Sequence, residues 1–95
     1  MRNDIIYYGI TEGQGRVVTF TNDGLFNKLI IDSSLFPEPL KSGEQVAVNG
    51  VCLTLQSIND CLLVFYLWPT TMEKTNLGQL KPGTTVNLER NRYSR

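Results

Sequence analysis

Turn-forming residues recur at short, regular intervals along this sequence, and the segments between them are rich in β-branched and aromatic residues. Short strands spaced in this way are typical of a closed β-barrel or a β-sandwich. The 95 residues are enough for one domain with a single hydrophobic core. The pattern predicts an all-β fold with about seven strands, at residues 7–13, 16–21, 25–32, 45–48, 51–58, 61–68 and 85–88.

Several of the turns have identifiable chemistry. Gln14-Gly15 is predicted to close a hairpin between the first two strands, and Asn22-Asp23-Gly24 is predicted to turn into the third. Asn49-Gly50, between two apolar runs, predicts another tight turn. Segments 40–46 and 80–86 both begin with Leu-Lys and have glycine at the same offset, which we interpret as two similar turns that enter strands.

One short helix is predicted near residue 70. Thr70-Thr71-Met72-Glu73 has the spacing of a capping box, with a threonine first and a glutamate three residues later. Pro69 precedes it, and Asn76-Leu77-Gly78 supplies the glycine that favours a helix end. We therefore expect a short helix that connects two strands.

Composition excludes several kinds of function. The sequence has no histidine, which removes His-based zinc sites and catalytic triads, and two cysteines are too few for a four-thiolate metal site. Nine basic residues balance nine acidic ones, so no overall charge favours nucleic acid or anionic membranes. No apolar run approaches the roughly 20 residues of a membrane span, and the N-terminus lacks a signal-peptide pattern. We expect a cytoplasmic protein with reduced thiols.

The predicted hairpin that closes on Asn59-Asp60 sorts its side chains onto two faces. With a two-residue loop, Cys52 lies opposite Leu67, far from Cys61, so a disulfide is not expected. One face is a plain core face, formed by Val51, Leu53, Leu55, Leu62, Val64, Tyr66 and Trp68. The other mixes polar and apolar groups, namely Cys52, Thr54, Gln56, Leu63, Phe65 and Leu67. This mixture fits either a ligand or partner surface or a core whose polar groups are satisfied.

Five segments follow one another in a distinctive order: Tyr8-Gly9-Ile10, Asn49-Gly50-Val51-Cys52-Leu53-Thr54, Thr71 shortly after Pro69, Lys74-Thr75-Asn76-Leu77-Gly78 and Val86-Asn87-Leu88-Glu89-Arg90. Together they resemble the N-terminal lumazine-binding domain of riboflavin synthase, over about residues 6–90. The resemblance makes residues 1–5 a leader, 6–90 the barrel, and 91–95 a tail or the start of an inter-domain linker. It implies a six-stranded Greek-key closed barrel with one short helix.

The resemblance also implies an activity and a set of ligand-binding residues. Riboflavin synthase transfers a four-carbon unit between two molecules of 6,7-dimethyl-8-ribityllumazine, which gives riboflavin and a ribitylaminopyrimidinedione, without a metal or an organic cofactor. Tyr8, Tyr66 and Thr70 depart from the residues that the family usually has, and no catalytic residue is assigned. The ligand contacts carried over by position are Gly9, Ile10, Thr11, Cys52, Leu53, Thr54, Tyr66, Leu67, Trp68, Pro69, Thr70 and Thr71.

Two functional hypotheses follow from this resemblance. The chain is one barrel of a riboflavin synthase, with little turnover alone because the family assembles each active site between unlike barrels, or it is a stand-alone, non-catalytic flavin or lumazine carrier. A third class, an oligonucleotide-binding barrel, is disfavoured by the zero net charge. The expected partners are a small pteridine or flavin, and either a second barrel of the family or a second copy. The homodimer is expected because a lone barrel would leave Leu63, Phe65 and Leu67 partly exposed.

Overall fold

Antiparallel strands and two short helices make up the described part of the chain. The computed structural model describes residues 13–34, 36 and 40–90. The all-β class with one short α-helix is confirmed, and the predicted strand at 7–13 lies almost entirely outside the described residues. The elements are β1 (Gly13–Asp23), β2 (Phe26–Asp32), β3 (Gln45–Val48), β4 (Val51–Thr54), β5 (Ser57–Asn59), β6 (Leu62–Leu67), α1 (Pro69–Lys74), a 3₁₀ helix (Asn76–Gln79) and β7 (Thr85–Arg90).

The sheet is strongly curled. Its strand order is β4-β3-β7-β1-β2-β6-β5, and the edge strands β4 and β5 are joined in the chain only by Leu55 and Gln56. At about 4.8 Å between neighbouring strands, a flat sheet of this width would separate its edges by about 29 Å. The three Cα–Cα steps from Thr54 to Ser57 span at most about 11 Å. The seven strands therefore curl until the two edges of the sheet approach each other. The expected fold was a closed barrel of six strands, so the number of strands differs from that prediction.

A single hydrophobic core lies against this sheet. Its largest fully buried side chain is Phe65 of β6, and burial of a side chain of this kind contributes roughly 1.5–3 kcal/mol to stability. Leu77 of the 3₁₀ helix is also fully buried, which fixes the helical segment to the sheet. The core consists of Val17, Leu29, Ile31, Leu40, Val46, Val48, Leu53, Leu55, Leu63, Phe65, Leu67, Leu77, Val86 and Leu88.

The predicted hairpin turn at Gln14-Gly15 is wrong, because β1 runs without interruption through both residues. Gly15 is needed for packing rather than for a turn. A Cβ atom built on it would lie 2.5 Å from Cγ2 of Ile31 and 2.9 Å from Cδ1 of Leu88. The glycine was predicted to form a turn, whereas it allows close packing inside a strand.

The predicted strand at 51–58 is divided into β4 and β5, and this break reverses one face assignment. Leu55 is fully buried and Ile58 packs against the same core, although the two are three positions apart in sequence. Strict alternation cannot place both inward, so the chain gains one residue at the break, as in a β-bulge. The alternation predicted on one side of the break therefore does not continue on the other.

The face assigned to β6 is consequently wrong. The β5–β6 turn lies at Asp60-Cys61, one residue later than predicted, and Ile58 pairs with Leu63. Tyr66 and Trp68, which were expected in the core, are 37% and 55% exposed. The three side chains expected on a half-exposed face are instead at most 1% exposed: Leu63, Phe65 and Leu67. The stated reason for a homodimer is therefore removed.

The helix forms near residue 70 as predicted but begins and ends differently: it ends at Lys74, and Gly78, which was expected to close it, lies within the 3₁₀ helix. Pro69 occupies its first turn, and the N-cap residue is Trp68, whose side chain makes no capping hydrogen bond, so the capping box at Thr70 is wrong. Proline is favoured at this position because the amide it lacks would have no partner in the helix. Thr75 separates α1 from the 3₁₀ helix: its Oγ1 donates to the Thr71 carbonyl at 2.8 Å and accepts from the Leu77 amide at 3.2 Å.

The two similar turns predicted before β3 and β7 are confirmed. Gly43 and Gly83 both have a φ of 90°, a conformation that favours glycine. In each turn the amide of the residue after the glycine donates to a lysine carbonyl. The Glu44 amide donates to Lys41 at 3.1 Å, and the Thr84 amide donates to Lys81 at 3.0 Å. The turns therefore deliver β3 and β7 into the sheet in the same way.

Candidate functional site

A cavity of about 580 Å³ opens between β4, the end of β6 and α1. Its volume falls within the range of small-molecule sites, roughly 300–1,000 Å³. It combines polar and aromatic side chains and, among the described residues, is lined by Phe26, Cys52, Leu53, Thr54, Gln56, Tyr66, Trp68 and Thr71.

One wall of the cavity is a row of hydrogen-bonding groups on β4. Asn49 and Gly50, with φ values of 50° and 86°, form a tight turn that sets Gln45 of β3 opposite Thr54. The Gln45 Nε2 donates to Thr54 Oγ1 at 2.9 Å, and its Oε1 accepts from the Cys52 thiol at 2.8 Å. One carboxamide thus links both polar side chains that β4 presents to the cavity.

The opposite wall is aromatic. The Phe26 ring, at the start of β2, lies 4.4 Å from the Trp68 ring and 5.7 Å from the Tyr66 ring, measured between centroids. Pairing of β2 with β6 sets Asn27 opposite Leu67. Phe26 and Trp68, which are adjacent to these two residues in the chain, are brought together as a result. Large aromatic side chains that remain this exposed are typical of binding surfaces.

The cavity brings together half of the residues that the resemblance proposed. Leu67 instead belongs to the core, and Pro69 and Thr70 are exposed in the first turn of α1, outside the cavity lining. Gly9, Ile10 and Thr11 lie outside the described residues. As ligand contacts, all of the proposed residues remain predictions. Those that line the cavity are Cys52, Leu53, Thr54, Tyr66, Trp68 and Thr71.

Sequence analysis missed Phe26 as a wall residue and Gln45 as a partner of the polar row. The position of Phe26 depends on pairing between β2 and β6, which local sequence does not specify. The position of Gln45 was accessible, because a two-residue turn at Asn49-Gly50 pairs residues 45 and 54. Gln56 was on the predicted polar face and does line the cavity, although its neighbours across the cavity differ from those expected.

Other features of the described residues are limited. Neither cysteine forms a disulfide, and both are exposed, Cys52 in the cavity and Cys61 in the β5–β6 turn. Within the described ranges no group of three or more acidic or cysteine side chains could hold a metal ion. Neither helix of the described chain has the length and apolar character to cross a bilayer. A smaller cavity of about 250 Å³ is lined by Gln14, Gly15, Arg16, Asp32, Ser34 and Thr85.

Comparison with known proteins gives one family and a set of relatives. Residues 8–91 match the lumazine binding domain family. Riboflavin synthase from Chlamydia pneumoniae is 41% identical over 85 residues, which cover 88% of this chain and 42% of that protein. Riboflavin synthase from Buchnera aphidicola is 40% identical over 86 residues, or 90% of this chain and 41% of that protein. The chain thus spans about two fifths of the length of the curated relatives it matches.

Solved structures of LumP have a similar fold. LumP complexed with 6,7-dimethyl-8-(1'-D-ribityl) lumazine matches with a TM-score of 0.80 at 26% identity, over 88% of this chain and 48% of that one. LumP complexed with riboflavin matches with a TM-score of 0.80 at 26% identity, over 88% and 46% of the two chains. The curled sheet described above is thus an arrangement that proteins with bound lumazine and flavin also have.

Proposed function

The chain belongs to the lumazine-binding domain family, and on this premise we propose that it binds 6,7-dimethyl-8-ribityllumazine and riboflavin in the cavity between β4, β6 and α1. The similar LumP structures are complexes with these same two compounds. Neither a metal nor an organic cofactor takes part in the proposed binding.

The observation that carries the proposal is the meeting of a polar row and an aromatic wall in one cavity. A fused ring offers a flat π-face, which suits Phe26 and Trp68, and an edge of carbonyl oxygens and ring nitrogens, which suits Thr54. The ribityl hydroxyls would find amide and hydroxyl partners in Gln56 and Thr71. The described lining contains no lysine or arginine, which argues against an oligonucleotide groove.

Trp68 makes the proposal directly testable, because it is the single tryptophan of the sequence and lines the cavity. We expect riboflavin to quench tryptophan emission in a saturable titration and to raise the melting temperature. Ligand at 100 times its Kd stabilises the folded state by about 2.7 kcal/mol. Single-stranded oligonucleotides serve as the matched probe for the alternative class and should change neither signal.

If riboflavin and the lumazine both leave the melting temperature unchanged at concentrations far above micromolar, the proposed function is wrong. A Trp68→Phe variant keeps an aromatic wall and is the control for the emission signal. In that variant the thermal shift should persist while the tryptophan signal disappears.

We propose that the chain alone binds without substantial turnover, as one barrel of a riboflavin synthase; a non-catalytic carrier is the second candidate. The reaction joins two lumazine molecules, so it requires two ligands held face to face. The chain corresponds to about two fifths of its riboflavin synthase relatives, which supports a partial active site. Incubation with the lumazine, followed by chromatography for riboflavin, tests this. Multiple turnovers by the chain alone would contradict it.

We further propose that the curled sheet closes as a six-stranded Greek-key barrel. If β4 and β5 are counted as one bent strand, the described residues contain six strands, and the bent strand pairs with β3 through one half and with β6 through the other. A strand shared by both edges of a sheet supports closure. Slow amide exchange at Leu55 and Gln56, comparable to that of β1, is the expected result.

The proposed partner is a second barrel, from the same family or as a second copy. Support comes from the wide exposure of Trp68, at 55%, in the cavity lining, and of Leu25, at 73%, which precedes the lining residue Phe26 in the chain. Sedimentation at several protein concentrations, with and without riboflavin, measures the association. A strict monomer that binds riboflavin tightly would show that one barrel is sufficient for binding and would contradict the proposed partner.

We propose a cytosolic location, where Cys52 and Cys61 would stay reduced.

A further inference from the structure

We infer that Gln45 is a positioning residue that fixes the hydrogen-bonding role of Thr54 toward the ligand, an inference that rests on the proposed function. The Gln45 Nε2 donates to Thr54 Oγ1, so that oxygen already serves as an acceptor within the protein. A threonine hydroxyl has one hydrogen to donate, and this hydrogen stays available to a ligand. Thr54 therefore selects a ligand that presents an acceptor, such as a carbonyl oxygen or an unprotonated ring nitrogen.

The same carboxamide is oriented by its second contact. Its Oε1 accepts from the Cys52 thiol at 2.8 Å, while its Nε2 faces Thr54 at 2.9 Å. A thiol is a weak donor and a weaker acceptor, so it favours the carboxamide oxygen over the amide group as its neighbour. Cys52 thus holds Gln45 in the orientation that makes Thr54 a donor, without any need to contact the ligand itself.

The backbone around Gln45 provides a rigid base for this arrangement. The Gly43 amide donates to the Leu55 carbonyl at 2.8 Å, and the Leu55 amide donates to the Glu44 carbonyl at 2.8 Å. Arg90 Nη2 bonds both carboxylate oxygens of Glu44, at 3.0 and 2.6 Å. A polar group that is held in place before the ligand arrives loses less conformational entropy on binding.

Gln45, Cys52 and Thr54 are exposed in the free protein, so water competes with the hydrogen bonds between them. A ring that covers Cys52 and Thr54 would exclude this water and strengthen the bonds. Loss of the Gln45 carboxamide should therefore change affinity for the ligand more than it changes the stability of the free protein. A residue that only supports the sheet would show the opposite order.

A double-mutant cycle tests the inference, with riboflavin as the probe. Gln45→Met keeps the side-chain length but removes both hydrogen bonds, and Thr54→Val removes the hydroxyl with little change in shape. We expect Gln45→Met to weaken riboflavin binding about 3- to 10-fold in the otherwise natural chain. In the Thr54→Val background we expect less than about a 2-fold effect, because the group being positioned is gone. Gln79→Met, at an exposed glutamine of the 3₁₀ helix, is the matched control and should leave the Kd unchanged.

A ligand-free measurement completes the test. In nuclear magnetic resonance spectra, the Gln45 side-chain amide signals should shift in Thr54→Val but stay in place in Thr70→Val. Equal effects of Gln45→Met in both backgrounds, or no effect in either, would overturn the positioning role while leaving the proposed function intact. Unshifted amide signals in Thr54→Val would overturn it as well. If the natural chain fails to bind riboflavin, the proposed function is wrong and the inference falls with it.

Discussion

Substitution of Gly15 by alanine probes the packing of the sheet at its tightest described glycine. The added methyl carbon would lie 2.5 Å from Cγ2 of Ile31, 2.9 Å from Cδ1 of Leu88 and 3.1 Å from the carbonyl oxygen of Asp32. Ile31 and Leu88 are fully buried, so their side chains have little room to withdraw. The Asp32 oxygen belongs to a backbone paired on both sides, with β1 and with β6. All three neighbours therefore resist the change.

The magnitude follows from two opposing effects. Overpacking of a core costs about 1–3 kcal/mol, and three resisting atoms suggest the upper half of that range. Replacing glycine by alanine also restricts the unfolded chain, which returns about 0.4–1 kcal/mol. We expect a net loss of about 2 kcal/mol in the free energy of unfolding, which lowers the melting temperature by about 8–16 °C in a domain of this size.

Urea denaturation of the purified variant measures this loss as a lower midpoint with an unchanged m-value. Gly78→Ala is the matched control, because the nearest atom to its added methyl is the flexible end of Met72, at 3.2 Å. We expect Gly78→Ala to stay within about 0.5 kcal/mol of the natural chain. If Gly15→Ala is equally mild, the close packing against Ile31 and Leu88 is refuted.

Three further predictions concern the cavity and the turn that shapes it. Trp68→Ala should weaken riboflavin binding by about 1–2 kcal/mol, because contact with the indole ring is lost. An unchanged affinity in a titration would show that the aromatic wall does not contact the ligand. Riboflavin should slow alkylation of Cys52, which lines the cavity, but not of Cys61, followed for both peptides by mass spectrometry; equal protection would refute the site. Asn49→Ala should cost about 1–3 kcal/mol of stability, because its Oδ1 accepts from the Asn87 amide at 2.8 Å and its φ is 50°, whereas a midpoint like that of the natural chain would count against this turn.

The turns that use positive φ values at Asn49-Gly50, Gly43 and Gly83 were predicted correctly from local sequence, unlike the turn at Gln14-Gly15. The residues of β3 matched their predicted range, and Asn49-Gly50 formed the predicted turn, because an asparagine-glycine pair readily adopts the two positive φ values required. The paired turns at Gly43 and Gly83 were found from sequence for the same reason. In each case the residues that determine the conformation are adjacent in the chain.

The wrong predictions arose where residues that are distant in sequence determine the local structure. Gly15 can either form a turn at the end of a strand or allow close packing inside one. Which role it has depends on Ile31 and Leu88, which are remote in sequence. The break at Leu55 similarly depends on two different partner strands, β3 before it and β6 after it. An extra residue at this break leaves the polar row on β4 as predicted but turns Tyr66 and Trp68 from core to cavity. The polar half of the site was therefore predictable from sequence, and the aromatic half was not.

The position of β7 in the sheet has a consequence for how the domain folds. In the strand order, β7 lies between the β4-β3 pair and the four-stranded block β1-β2-β6-β5, yet it is the last of the described strands to be synthesised. Its pairing of Gly13 with Leu88 connects residues far apart in the chain, and such contacts slow folding. Until β7 emerges from the ribosome, the edges of β1 and β3 that it covers remain unpaired and open to incorrect strand pairing. Completion of this one strand therefore covers both of these edges at once.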